Sequence, residues 1–148
     1  MRFTTKTEYG IICLIYVARH AEINPVSIKQ IVKGEQYSQT FIEKIVQKLR
    51  AAHILTSQKG NQGGYALARA ASEITLREII EALEGSTFEV FCEPDVRDAI
   101  VCTHFPACDV KGIWEKTKDL LDKYYGSITL EMLASHKIQS ADLDKLAQ

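Results

Sequence analysis

Ser38-Gln39-Thr40-Phe41-Ile42-Glu43-Lys44-Ile45-Val46-Gln47-Lys48-Leu49-Arg50 is the stretch that decides the fold. Phe41, Ile42, Ile45, Val46 and Leu49 recur at helical spacing and make one apolar stripe. Gln39, Thr40, Glu43, Lys44, Gln47, Lys48 and Arg50 are left outward. The spacing predicts a helix from about Ser38 or Thr40 to Ala52, with one face buried and the other offered to a partner. Upstream, Ser27-Ile28-Lys29-Gln30 has capping-box spacing and opens a short helix with Ile28, Ile31 and Val32 inward. Lys33-Gly34-Glu35-Gln36-Tyr37 reads as the turn between the two. Downstream, the β-like runs 54–57 and 65–67 flank Gln58-Lys59-Gly60-Asn61-Gln62-Gly63-Gly64, a glycine-rich hairpin tip within basic reach of Lys59 and Arg69.

Working outward, residues 5–21 form a helix that is apolar nearly all round, so it is buried against more than one surface, and a partner chain is one candidate for the second. Thr75-Leu76-Arg77-Glu78 is another capping box, opening a helix that ends at Gly85. Residues 86–108 lack periodicity and carry Cys92, Cys102 and Cys108. A long helix follows from Asp109 to about Tyr125, and a short one lies within 127–135. Four segments result: 1–85, a helix-turn-helix with a wing; 86–108, a cysteine loop; 109–135, the long helix and a short successor; and 136–148, a frayed tail. The fold class is mainly α with a small β-hairpin wing, a winged helix-turn-helix extended by a long C-terminal helix.

Composition agrees with a soluble protein and restricts its partners. The chain has 148 residues, 46% hydrophobic and 25% charged, with a net charge of −1. That total conceals an asymmetry. Residues 1–70 hold ten Lys/Arg against four acids, a net +6, and the remainder holds eight against fifteen, a net −7. A basic half joined to an acidic one suits a nucleic-acid face attached to something else. No run approaches the roughly 18 apolar residues of a membrane span. The apolar stretch Ile11 to Ala18 is closed at once by Arg19 and His20, unlike a signal peptide. The expectation is a cytoplasmic protein with no membrane partner.

Double-stranded DNA is the partner that this order of elements suits. Gln39, Thr40 and Glu43 are placed to reach base edges, with Glu43 matched to a cytosine amino group. Ser38, Lys44, Lys59 and Asn61 are placed for phosphate or groove contacts, and Gly60 lets the wing backbone come close. The blander readings are a capping box at Thr40-Phe41-Ile42-Glu43, turn-forming glycines and a solvated basic face.

The three loop cysteines carry a separate chemistry. Nine residues separate Cys92 from Cys102 and five separate Cys102 from Cys108. An aperiodic loop gains little from three buried thiols and much from a metal that fixes it. Soft ligands without paired CxxC motifs favour iron–sulfur over zinc. A fourth ligand is needed: His104 is nearby, and Glu8 is able to approach through the fold or a dimer. Cys13 falls on the apolar stripe of the first helix and reads as core. There is no GxSxG, P-loop or GxGxxG, so an enzyme is not expected. Two further readings remain: a small iron–sulfur redox or electron-transfer protein, and a zinc- or thiol-stabilised interaction protein.

Met1-Arg2-Phe3-Thr4-Thr5-Lys6, the stretch 38–50, the wing 59–69 and Glu73-Ile74-Thr75-Leu76 through Gly85 occur in series. Together they resemble the bacterial iron–sulfur regulator family of winged-helix repressors, the IscR/NsrR type, over roughly residues 1–125. The resemblance implies a homodimer paired through the long helix, here by Ile113, Trp114, Thr117, Leu120, Leu121 and Tyr124. It implies a 2Fe-2S or 4Fe-4S cluster on Cys92, Cys102 and Cys108, with cluster state controlling DNA affinity. Glu8 matches the position of an acidic ligand that some members supply from the partner subunit. Lys111 stands where other members carry a histidine ligand.

Overall fold

The computed structural model describes residues 3–23, 25–60, 63–90, 104, 107–135, 138 and 142–143. Its elements, in chain order, are α1 (Thr5–Arg19), α2 (Ile28–Glu35), α3 (Gln39–Ala51), β1 (Leu55–Gln58), β2 (Gly64–Leu67), α4 (Leu76–Glu84), α5 (Lys111–Gly126) and α6 (Leu130–Ala134). Single 3-10 turns at Ala21–Ile23 and Ala71–Glu73 join them. Helices α2 and α3 make the helix-turn-helix, and β1 and β2 pair antiparallel as the wing, Leu55 opposite Leu67 and Gln58 opposite Gly64.

Local chemistry starts the helices where the sequence expects. Ser27 and Thr75 each complete a reciprocal capping box, with Gln30 and Glu78 respectively. Helix α4 stops at Gly85, which has φ 103°. Helix α2 runs through Lys33 and Gly34 to Glu35, two to three residues further than its sequence suggests, and Gln36 in the left-handed region turns the chain. Gly34 is helical because of what it faces: a Cβ there would lie 2.6 Å from the Tyr16 ring, so the glycine admits close packing of α1 on α2. The long helix begins at Lys111, after a turn at Asp109-Val110.

One core unites these elements. Leu14 and Val17 of α1, Ile31 of α2, Ile42, Ile45, Val46 and Leu49 of α3, Leu55 of β1 and Ile79 and Leu83 of α4 are all buried together. Each such side chain contributes about 1.5–3 kcal/mol relative to exposure. Cys13 is fully buried, as its position on the stripe predicts, and burial first and Glu35 second push its thiol up to about 12. It is a core residue.

Two contacts distant in sequence complete the fold. Val26, directly after Pro25, exchanges backbone hydrogen bonds with Tyr65 at 2.9 and 2.8 Å, tying the wing to the start of α2. The segment after α5 returns to the winged body: Leu76 N donates to Ile128 O and Leu130 N to Ile74 O, both at 2.8 Å. Ile128 and Leu130 are buried there, and α6 packs on α1, where Arg19 donates to the Ala134 carbonyl at 2.9 Å.

Candidate nucleic-acid interface

Helix α3 buries Ile42, Ile45, Val46 and Leu49 and leaves Gln39, Thr40, Lys44, Gln47, Lys48 and Arg50 exposed, with Glu43 half-buried. Its N-cap is Ser38, whose hydroxyl makes no bond to its own helix. The capping box at Thr40 therefore does not form. Instead Gln39 Nε2 donates to Glu43 Oε1 at 2.9 Å, which aligns amide and carboxylate one turn apart on the outward face. An exposed hydroxyl at the helix entry and two paired polar side chains in its first turns match what a major-groove helix presents to phosphate and base edges.

Two basic residues of this region are committed elsewhere. Lys48 Nζ donates to the Leu83 carbonyl at 2.8 Å, at the end of α4. Arg69 braces the base of the wing, donating to the His53 carbonyl at 3.1 Å and pairing with Glu78. Spacing places Lys48 outward and sequence sets Arg69 within reach of the wing, and only the tertiary fold supplies their acceptors. Arg69→Ala is expected to lower stability by about 1–2 kcal/mol, since His53 and Glu78 lose a charged donor in a partly exposed setting. Thermal unfolding measures that loss, and the salt dependence of DNA binding is expected to stay unchanged. Lys59 remains exposed at the hairpin, and Gly60 beside it has φ 144° with open space around its Cβ direction. Asn61 lies outside the described residues.

Of the cysteine ligands, Cys92 and Cys102 lie outside the described residues. Cys108 is a half-buried free thiol whose carbonyl accepts from Lys111 N at 3.2 Å, one turn before α5. His104 and Glu8 are exposed, Glu8 in the first turn of α1. Among the described residues no three metal-binding side chains of this chain converge. In chemistry alone, the half-buried Cys108 offers a soft sulfur donor and Glu8 an exposed carboxylate, the donor types that a thiophilic group takes.

Helix α5 has two distinct faces. Lys118 and Asp122 turn toward the chain's own body, where Asp122 accepts from Thr87, and Trp114, 38% exposed, meets Phe88 at the edge of that face with ring centroids 6.0 Å apart. Ile113 and Leu120 point away, 60% and 57% exposed. Thr117, Leu121 and Tyr124 are half-buried, and no residue of α5 is fully buried. Of the residues with a pairing role implied by resemblance, Trp114 thus also serves intrachain packing. On α1, Ile12, Ile15 and Tyr16 line an open pocket of about 350 Å³ together with Arg19, His20 and Glu35.

Known proteins share this architecture. The Rrf2 family, described as "Iron-dependent Transcriptional regulator", matches residues 3–136. The protein rrf2 of Nitratidesulfovibrio vulgaris is 32% identical over 130 residues, 88% of this chain and 85% of its own length. The structure of CymR (YrzC), the global cysteine regulator of B. subtilis, superposes with a TM-score of 0.73 at 30% identity, covering 93% of this chain and 99% of that one. The IscR of T. potens gives 0.70 at 29% identity, covering 93% and 89%. These relatives are transcriptional regulators and not enzymes, and no helix among the described residues is long and apolar enough to cross a membrane. With the helix-turn-helix, the wing and the long helix all in their places, the chain belongs to the Rrf2 family of winged-helix transcriptional regulators.

Proposed function

We propose that this chain is a homodimeric repressor that reads operator DNA with α3 and the wing, and that an iron–sulfur cluster on Cys92, Cys102 and Cys108 sets its affinity. The observation that carries the reading is the exposed apolar face of α5 at Ile113 and Leu120, on a helix that packs through α4 onto the body holding α3. A monomer gains nothing by exposing two large aliphatic side chains on one helix face, whereas a second copy buries them.

The dimer presents two α3 helices, and half-sites about 34–36 Å apart accept one spacing well. Gln39, Thr40 and Glu43 read base edges, Ser38 and Lys44 fix the helix on the backbone, and Lys59, Gly60 and Asn61 follow the adjacent phosphates. Thiolates of one chain would hold the cluster, and Glu8 of the partner subunit would supply the fourth ligand, with His104 as the alternative. When bound, the cluster would supply a cross-link of the cysteine segment that is sensitive to iron supply, oxidation and nitric oxide. Proton and electron transfer to a substrate have no part in the reading, which sets it apart from a small redox carrier.

Selection of operator from random DNA tests the assignment. Glu43→Ala is expected to relax preference at one base pair and weaken binding by about 1–3 kcal/mol. Lys59→Ala is expected to weaken binding to all sequences alike and lower the salt slope by about one. If Glu43→Ala left both affinity and base preference intact, α3 would not be the reading helix.

A further inference from the structure

Six residues, Leu83 to Phe88, stand where three helices meet. The Leu83 carbonyl accepts the 2.8 Å bond from Lys48 of α3. Glu84 Oε1 accepts from Thr4 N at 3.1 Å and from the hydroxyls of Thr4 and Thr7, in and beside the first turn of α1. Burial pushes the Glu84 carboxyl up, but these hydrogen bonds, with Lys6, bring it below its ordinary value. Thr87, only 2% exposed, donates to Asp122 Oδ1 on α5. The other oxygen of Asp122 lies 3.4 Å from Arg77 of α4, itself paired to Glu81 at 2.8 Å. Lys118 Nζ donates to the Phe88 carbonyl at 3.4 Å, beside the Phe88–Trp114 ring contact. Cys92 follows four residues later in the sequence.

A shift of this segment strains a bond to α3, to α1 or to α5. A buried hydroxyl and a charged donor make those bonds costly to leave unmade. We propose that Leu83–Phe88 is the coupling element of the regulator, with Thr87 and Lys48 as positioning residues that relay the state of the cysteine segment to α5 and to the DNA-reading helix. The proposal rests on the cluster-sensing reading above. Thr87 acts through Asp122, and Lys48 acts through the Leu83 carbonyl.

The test compares operator affinity of the full chain after reconstitution with ferrous iron and sulfide without oxygen, and again without cluster. In wild type the two affinities are expected to differ by about tenfold or more. Thr87→Val, similar in size but lacking the hydroxyl, brings the ratio below about threefold with cluster content unchanged. Lys48→Met also collapses the ratio, although the lost cation weakens both forms. A wild-type ratio retained in both variants overturns the proposal. Amide exchange of the cluster-free protein, with and without operator DNA, reads the same element independently of any cluster. DNA slows exchange at Gly85–Phe88 in wild type and much less in Lys48→Met; exchange in wild type that DNA leaves unchanged also overturns the proposal. If wild type takes up no cluster yet shows that protection, the sensing reading fails and only the coupling of Leu83–Phe88 to the DNA-reading helix stands.

Discussion

A chain carrying both Ile113→Glu and Leu120→Glu is expected to be monomeric and to bind operator at least ~10³-fold more weakly than wild type, close to its non-specific level. Ile113 and Leu120 are 60% and 57% exposed, so glutamate at either costs the single chain little. The opposite face of α5 stays held through Trp114, Lys118 and Asp122. In a two-fold pairing each new carboxylate faces its counterpart or the apolar surface that Ile113 and Leu120 once covered, and like charges there oppose association. Sedimentation and fluorescence anisotropy with labelled operator measure the two effects, and thermal unfolding should remain cooperative. A dimer persisting in the double variant removes α5 from the interface.

Gly64→Val is expected to destabilise the protein by about 3 kcal/mol or more. A Cβ at Gly64 would lie 2.5 Å from the Val26 carbonyl oxygen and 2.7 Å from its carbon, backbone atoms with no rotamer to yield. The strand has to withdraw, and the paired bonds between Val26 and Tyr65 break. Val26 is 1% exposed, so water does not readily replace them. The melting temperature should fall by roughly 10 °C. The wing loses its anchor to α2, so DNA binding weakens in the variant even where it remains folded. An unchanged melting temperature would show that the β2–Val26 approach is not required.

What could be read from the sequence was governed by range. The stripe of α3, the capping boxes at Ser27 and Thr75 and the stop at Gly85 are local, and they appear in the structure as read. Gly34 misleads because a glycine that admits a ring from another helix is indistinguishable in sequence from one that makes a turn. Lys48 is outward as its spacing predicts, but its acceptor at Leu83, like the Glu78 partner of Arg69, belongs to the following helix and leaves no mark in its own stretch. The return of Ile128 and Leu130 to pair with Ile74 and Leu76 has only a faint local trace, the cap Thr129, whose side chain accepts from Met132 N. Likewise the two faces of α5 follow from what α4 and Phe88 cover, and periodicity alone puts Ile113 and Trp114 on one stripe.

The iron–sulfur cluster proposed for the cysteine segment is what most sets this regulator's behaviour. Purification without oxygen, a visible spectrum, and iron and sulfide content, repeated with Cys92→Ala, test it directly. The account predicts a coloured wild type with stoichiometric iron and sulfide, and a colourless Cys92→Ala chain that still folds. A wild type that stays colourless and iron-free after reconstitution contradicts it.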